Sequence, residues 1–454
     1  MKKKQKTIST DSRKAAIHLY AAITECNLPL SGLTNETNGA SYYLKLSAKD
    51  RNLTKAILTC TLKYKPYIEK LLSSYLKKKL PQGAKTLRHI LHTTIAQIIY
   101  MNIPSYAAIN SAVSIAKYDS RTKRFAQLIN AILREIDRDL TKGAIQNRIQ
   151  MHPLDTVPTW FRDLIVKDYS EEKATNIIKA HLNENAIDLT VKTDPIKWAK
   201  KLNALPIWGN SIRLPKSYKG SISDLEGYQE GQWWVQDCAA NIPITILGNI
   251  TGLTAIDLCA APGGKTAQLA ANGAITTCCE INNNRLQRLK QNMERLNLSV
   301  ETMLGDFSKL EHSTYDIVLL DAPCSSTGTI RKNSDILWSK TEKDIFDLAD
   351  VQYNMLVKAI EYAKPNGTIL FSNCSINKAE GEEVIQKLLN NISNVELLPF
   401  CKKETTFLAN PQLASFITNE GYLRTTPDSF YIGDNVNYAD TMDGFFVARL
   451  KKLA

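Results

Sequence analysis

No stretch of the 454-residue chain approaches the roughly 18 consecutive apolar residues that a membrane-crossing helix needs, and even the run Ile95 to Tyr100 follows Thr93 and Thr94. A soluble, cytoplasmic protein is expected. Met1-Lys2-Lys3-Lys4 looks like the charged start of an export signal. However, Asp11, Arg13 and Lys14 follow and the next apolar stretch carries His18 and Tyr20, so export is not expected. Glycine (20) and proline (16) are too few for a collagen-like or low-complexity chain. The nine cysteines, at 26, 60, 238, 259, 278, 279, 324, 374 and 401, include no Cys-x-x-Cys pair, which suits a reducing compartment rather than a disulfide scaffold. The six histidines are scattered, and the close pair His89 and His92 has no cysteine or carboxylate beside it to complete a metal set. No structural metal is expected, and no internal repeat is apparent.

What is abundant is positive charge, and it is concentrated. The net charge is +12, yet residues 1–150 hold 26 Lys and Arg against 9 Asp and Glu, whereas residues 151–454 hold 31 against 36. A basic module joined to a mildly acidic one is the footprint of phosphate recognition, and equally of a solvated helical face. In the basic part, Leu87, Ile90, Leu91, Ile95, Ile98 and Ile99, and then Ile129, Ile132, Leu133, Ile136 and Leu140, recur at helical spacing and predict a helix bundle. Lys77, Lys78, Lys79 and Arg88 form one candidate phosphate-contact cluster, and Arg121, Lys123 and Arg124 another. Gly143, Pro153 and Pro158 end the helical pattern. Three segments are expected: a helical domain over 1–145, a small mixed α/β connector over 146–235, and a doubly wound α/β domain over 236–454.

The last segment is read from short apolar strands alternating with helices: Thr254 to Leu258, Ala274 to Cys279, Asp316 to Leu320 and Thr368 to Phe371, with Gly444 to Leu450 closing an antiparallel edge. Strand Thr254 to Leu258 runs into Cys259-Ala260-Ala261-Pro262-Gly263-Gly264-Lys265 and a helix, a turn that lets backbone approach a nucleotide-type ligand. A P-loop would need glycine where Cys259 stands, so ATP and GTP are discounted. Glu280, at the end of the second strand, is placed to accept hydrogen bonds from ribose hydroxyls, or merely to start a helix. Asp306, at the end of the third, is placed to meet an adenine amine, or to cap a turn. Asp321-Ala322-Pro323-Cys324 and Asn373-Cys374-Ser375 end two further strands, so two thiols project from the ligand-binding edge. Packing explains one such cysteine more easily than two.

Asp257 to Thr266, Asp321 to Ser326, Asn373 to Ser375 and Asp443-Gly444-Phe445-Phe446 together resemble the signature set of S-adenosylmethionine-dependent RNA cytosine carbon-5 methyltransferases. The chain most resembles the bacterial RsmB/Sun (Fmu) type, which modifies 16S ribosomal RNA and carries a NusB-like helical RNA-binding domain ahead of a Rossmann-like catalytic domain. Ile103 to Ala108 and Leu128 to Arg134 carry the NusB-like likeness, and His152-Pro153, Trp160 and Val235-Gln236-Asp237 extend it through the middle.

The resemblance implies Cys374 as nucleophile, Cys324 assisting product release and Asp321 on the cytosine edge. It also implies S-adenosylmethionine held by Cys259 to Lys265, Glu280, Asp306 and Asp321, small-subunit ribosomal RNA as substrate, and a connector contributing to RNA binding. A monomer is expected separately, because nothing in the sequence suggests a dimer seam. Asn373 stands where that family more often has threonine, and Glu280 where it more often has aspartate. Two other readings are a methyltransferase for an exocyclic amine, which would carry Pro-Pro-aromatic where Ala322-Pro323-Cys324 stands, and a catalytically silent assembly factor on the same fold. The helical domain is also of a type that can bind protein rather than RNA.

Overall fold

The structure, a computed structural model, describes residues 11–309, 313–404, 412–433 and 435–454; Met1 to Lys4 lie outside them. The chain packs as two compact units, Met1–Asp163 with Asn333–Thr341, and Leu164–Lys332 with Glu342–Ala454.

The first unit is helical: Asp11–Cys26, Ala48–Lys63, Lys65–Tyr75, Lys85–Tyr100, Ser105–Tyr118 and Ala126–Thr141 are its longer elements. Ser47 caps the second of these by accepting from Asp50 N at 3.1 Å, and Pro66 sits in the first turn of the third, where its missing N–H costs nothing. The apolar stripes expected from the sequence are the buried ones, with Leu87, Ile90, Leu91, Ile95, Ile129, Leu133 and Ile136 in one core. A second cluster gathers Leu19, Tyr20, Ile23, Leu58 and Leu62, and Trp338 packs against it. Trp338 Nε1 donates to Leu62 O at 3.0 Å, Lys65 Nζ lies 4.0 Å from the centre of its ring, and Asp335 accepts from Leu30 N at 2.9 Å. Residues 333–341 therefore complete a helical core although the chain reaches them from a strand of the other unit.

The second unit contains two sheets. The smaller, all antiparallel, has the order β2-β3-β1-β4, with β1 Asp188–Val191, β2 Leu205–Pro206, β3 Ser211–Arg213 and β4 Trp233–Val235. Asp188 takes Arg213 Nε at 2.7 Å and Nη2 at 2.9 Å, and also Cys238 N at 3.0 Å. That buried pair ties the small sheet to the helix Cys238–Thr245. From Leu164 onward, the segment expected as a connector thus shares one unit with the large sheet.

The large sheet has the order β10-β12-β9-β8-β5-β6-β7, with β11 also pairing β12. Its strands are β5 Thr254–Asp257, β6 Ile275–Glu280, β7 Glu301–Leu304, β8 Tyr315–Asp321, β9 Ala363–Asn373, β10 Val395–Leu397, β11 Leu423–Thr425 and β12 Phe445–Lys452. Strands β5 to β9 pair in parallel, and the order reverses between β5 and β8. The carboxyl ends of strands flanking such a reversal form the crevice where open α/β sheets take ligands. β12 is antiparallel to β9 as expected, yet it is not an edge, because β10 and β11 both pair with it.

Candidate active site

The carboxyl ends of β5 to β9 surround a cavity of about 880 Å³. Cys259, Ala261, Glu280, Asp306, Asp321, Cys324 and Cys374 all line it, as do Val351, Met355 and Lys358 from the helix Glu342–Ala359. The structure therefore brings together the acidic and thiol groups singled out in the sequence. It does not place the whole glycine turn there. Pro262, Gly263 and Gly264 line a second cavity of about 530 Å³, while Ala261 and Arg285 line both. Gly263 has φ of 102°, and a Cβ on it would approach Met293 Cε to 3.0 Å and Leu289 Cγ to 3.2 Å, so the turn closes only on glycine.

The two sulfurs of Cys324 and Cys374 lie 3.5 Å apart. The hydrogen bond between them, and burial, push the Cys324 thiol well above its ordinary range. Burial likewise raises the thiol of Cys259. Asp321, at the end of β8, accepts Lys265 Nζ at 2.8 Å and Ser372 Oγ at 2.9 Å. Lys265 is thus committed to Asp321, and its ammonium also lies 4.6 Å from the centre of the Phe445 ring. Glu280 is buried, accepts Asn282 N at 2.9 Å and has Arg285 Nη1 at 3.4 Å. Hydrogen bonds from Ser308 hold the Asp306 carboxyl below the ordinary carboxylate range.

A buried polar network that reaches beyond the sequence motifs holds both thiol-bearing loops. Glu380 accepts Ser325 N at 2.8 Å, Ser325 Oγ, and Gln352 Nε2 at 2.9 Å. Asn373 donates to Glu380 O at 2.6 Å and accepts Ser375 N at 3.0 Å. Asn373 therefore shapes the turn on which Cys374 stands. On the other side, Gly328 N donates to Cys374 O at 2.8 Å and Gly444 N to Gly328 O at 2.9 Å. Asp443, which starts that terminal motif, takes Arg331 at 3.0 Å and Lys332 at 2.8 Å. Only the motif residues themselves are legible from sequence; Glu380 and Gln352 carry no local signature.

Asp257 ends β5 behind the cavity. Burial pushes its carboxyl up to about 7 although Thr266 Oγ1 donates to it at 2.7 Å. Because the folded value lies above the unfolded one, this group's contribution to stability is complete below about pH 4 and is lost as pH rises through 7. Asp257→Asn is expected to remove that loss, unfolding a few degrees above the parent at pH 8 and close to it at pH 4, as read by thermal melts across that range.

Among the described residues, ligand atoms of Asp188, Asp237 and Cys238 lie within 4.8 Å of one another. Arg213 already takes both oxygens of Asp188, and Lys332 and Arg331 face Asp237. The chain's own cations supply the positive charge there.

Lys77, Lys78 and Lys79 are exposed in the turn after the helix Lys65–Tyr75, and Lys123 and Arg124 are exposed near the start of Ala126–Thr141. The other two candidates differ from them. Arg88 is half-buried, and Arg121 is held by Asp119 at 3.0 and 2.7 Å.

Residues 244–451 match the family described as 16S rRNA methyltransferase RsmB/F, and residues 10–138 match the NusB family. Ribosomal RNA small subunit methyltransferase B of Photorhabdus laumondii is 30% identical over 372 residues, covering 78% of this chain and 85% of the relative. A probable ribosomal RNA small subunit methyltransferase B of Synechocystis sp. is 28% identical over 429 residues, covering 90% of this chain and 92% of the relative. The crystal structure of PH0851 has the same fold, with a TM-score of 0.70 at 20% identity over 98% of this chain and 99% of its own. A methyltransferase homolog protein from Pyrococcus horikoshii reaches 0.50 at 26% identity, over 64% of this chain and 94% of its own.

Proposed function

This chain belongs to the RsmB/F family of 16S rRNA methyltransferases, and we propose that it methylates carbon 5 of a cytosine in small-subunit ribosomal RNA through a covalent cysteine–cytosine adduct. The observation that carries this reading is the pair of thiols, 3.5 Å apart, in the wall of a cavity at the carboxyl edge of the sheet.

Carbon 5 of cytosine is a poor nucleophile. Addition of the Cys374 sulfur to carbon 6 makes carbon 5 enamine-like, and so able to accept a methyl group. S-adenosylmethionine, when bound, supplies that methyl group on an electrophilic sulfonium. The carbon-5 proton must then pass to a base in the site, and the carbon–sulfur bond breaks with its electron pair returning to the Cys374 sulfur. Cys324 is the neighbouring group that we assign to assist this release. Asp321, oriented by Lys265 and Ser372, is assigned to the edge of the base. Oriented groups of this kind lower the barrier because their geometry is settled before the base arrives.

The cavity suits the cofactor. Glu280 offers a buried carboxylate oxygen toward ribose hydroxyls, Asp306 an ionised one toward an adenine amine, and the small side chains of Cys259 and Ala261 leave the wall open. Ala260, beside this wall in sequence, is buried, Lys265 holds Asp321, and Pro262 to Gly264 form the turn between them.

The base must leave its stack to reach Cys374, so the target is single-stranded or extruded. The basic helical unit is assigned to phosphate binding through Lys77, Lys78, Lys79, Lys123 and Arg124. Replacing these five with alanine is expected to weaken RNA binding and to flatten its dependence on salt, by about 0.7 in log–log slope for each phosphate that is no longer neutralised. Titrations at several salt concentrations measure this, and an unchanged slope would point instead to a protein partner.

The reading is tested with radiolabelled S-adenosylmethionine and unmethylated small-subunit ribosomal RNA, followed by nucleoside analysis. Label in 5-methylcytosine is expected. Label in an exocyclic methylamine would replace the assigned chemistry, and no transfer to any RNA would bring forward the silent assembly factor.

A further inference from the structure

The second cavity has a composition unlike the rest of its unit. Arg285, Arg288 and Arg295 line it, with no carboxylate among the lining residues, although residues 151–454 hold more acidic than basic side chains. Arg285 is shared with Glu280 and with Ala261 O, and Arg295 donates to Tyr228 O at 2.7 Å and stacks on that ring at 4.2 Å. Arg288 is exposed and has no hydrogen-bond or ion-pair partner among the described residues. Beside these cations Val235 and Pro262 form an exposed apolar wall, backed by the buried Trp234, and Val235 is 54% exposed. Three guanidinium groups around one hollow repel one another, and an exposed valine beside a tryptophan adds nothing to the core. Both features are accounted for by a ligand that carries negative charge next to a flat apolar face.

We propose that this cavity is a subsite for one nucleotide of the RNA chain beside the target cytosine, with its phosphate on Arg288 and Arg285 and its base against Val235 and Pro262. Adjacency supports the assignment, since Ala261 and Arg285 line both cavities, and a strand whose cytosine enters the first must place a neighbouring nucleotide close by. S-adenosylmethionine carries no phosphate, so the cofactor does not explain three arginines. Arginine over aromatic and apolar surface is the usual chemistry for holding single-stranded RNA without reading its sequence. The inference rests on the RNA substrate proposed above, and it makes Arg285 a link between the two sites.

The test is equilibrium binding of a short single-stranded RNA containing one cytosine to the full chain, at several salt concentrations, for wild type, Arg288→Ala, Arg288→Glu and Arg288→Lys. Arg288 is exposed, so none of these variants disturbs the core. Arg288→Ala is expected to weaken binding roughly threefold to tenfold and to lower the log–log salt slope by about 0.7, and Arg288→Glu to do more. Arg288→Lys should recover most of the affinity. KM for RNA should rise with kcat unchanged, and S-adenosylmethionine affinity, measured calorimetrically, should stay as in wild type. RNA affinity and salt slope unchanged in both Arg288→Ala and Arg288→Glu would overturn the subsite. Binding is read separately from methyl transfer, so loss of the proposed reaction and loss of the subsite are distinct results.

Discussion

Cys374→Ala is expected to lose methyl transfer by about 10⁴-fold or more, since removing a nucleophile outright costs enzymes of comparable design at least that much. It should also form no protein–RNA adduct on a denaturing gel. Cys324→Ala should do the opposite, accumulating an adduct that carries label from S-adenosylmethionine because the methylated base is not released. Both side chains are small and partly buried, so neither change should alter the melting temperature by more than a few degrees. The separation of 3.5 Å makes the contrast informative, because either sulfur is close enough to the other to exchange roles. If Cys374→Ala retained activity while Cys324→Ala did not, the nucleophile would be the cysteine after Pro323, and the assignment above would be reversed. If both were inactive without an adduct, Cys324 would be needed before the carbon–sulfur bond forms.

The second large effect is expected at a residue with no reactive group. Gly328 packs between two backbones, and a Cβ there would stand 2.1 Å from Gly444 O and 2.7 Å from Cys374 O. Both obstacles are main chain, so a rotamer change cannot relieve them, and Gly328, Gly444 and the loop bearing Cys374 must together give by about an ångström. A displacement of that size in a reacting group costs on the order of 10²-fold in rate. Gly328→Ala should therefore reduce kcat by about that factor while S-adenosylmethionine still binds, because Glu280 ends β6 and Asp306 follows β7, away from this loop. The comparison of kcat with calorimetric cofactor affinity checks it. Unchanged kcat would mean that the Gly328–Cys374 hydrogen bond does not position the thiol.

Some of this architecture is legible in the sequence, and the rest is hidden for identifiable reasons. β5, β6 and β8 are readable because each is a short, largely buried run rich in apolar or β-branched residues. For β9 only Thr368 to Phe371 reads as strand, since Lys364-Pro365-Asn366-Gly367 looks like a turn. In the structure Asn366 does take positive φ of 64°, yet the strand runs on to pair Ala363 with Tyr315 across an irregular register. Glu280, Asp306, Asp321 and both site cysteines can be picked out because each lies at, or within three residues of, a strand end. Glu380, Gln352 and Ser372 cannot, since their roles arise where segments tens of residues apart meet. Lys265 shows the same limit, because only long-range packing reveals that Asp321 claims it.

The fold of the helical unit also governs when it can be finished during synthesis. Its core takes Trp338 from a segment made long after residue 163, and the buried carboxyl of Asp335 has its partner at Leu30. At about 5–20 residues per second, the bundle waits on the order of ten seconds on the ribosome with a hollow beside Leu62 and the amide of Leu30 unpaired. A fragment ending near residue 163 never leaves that condition, and one beginning there carries an orphaned tryptophan. The boundary that composition draws across this chain is thus a poor place to cut it.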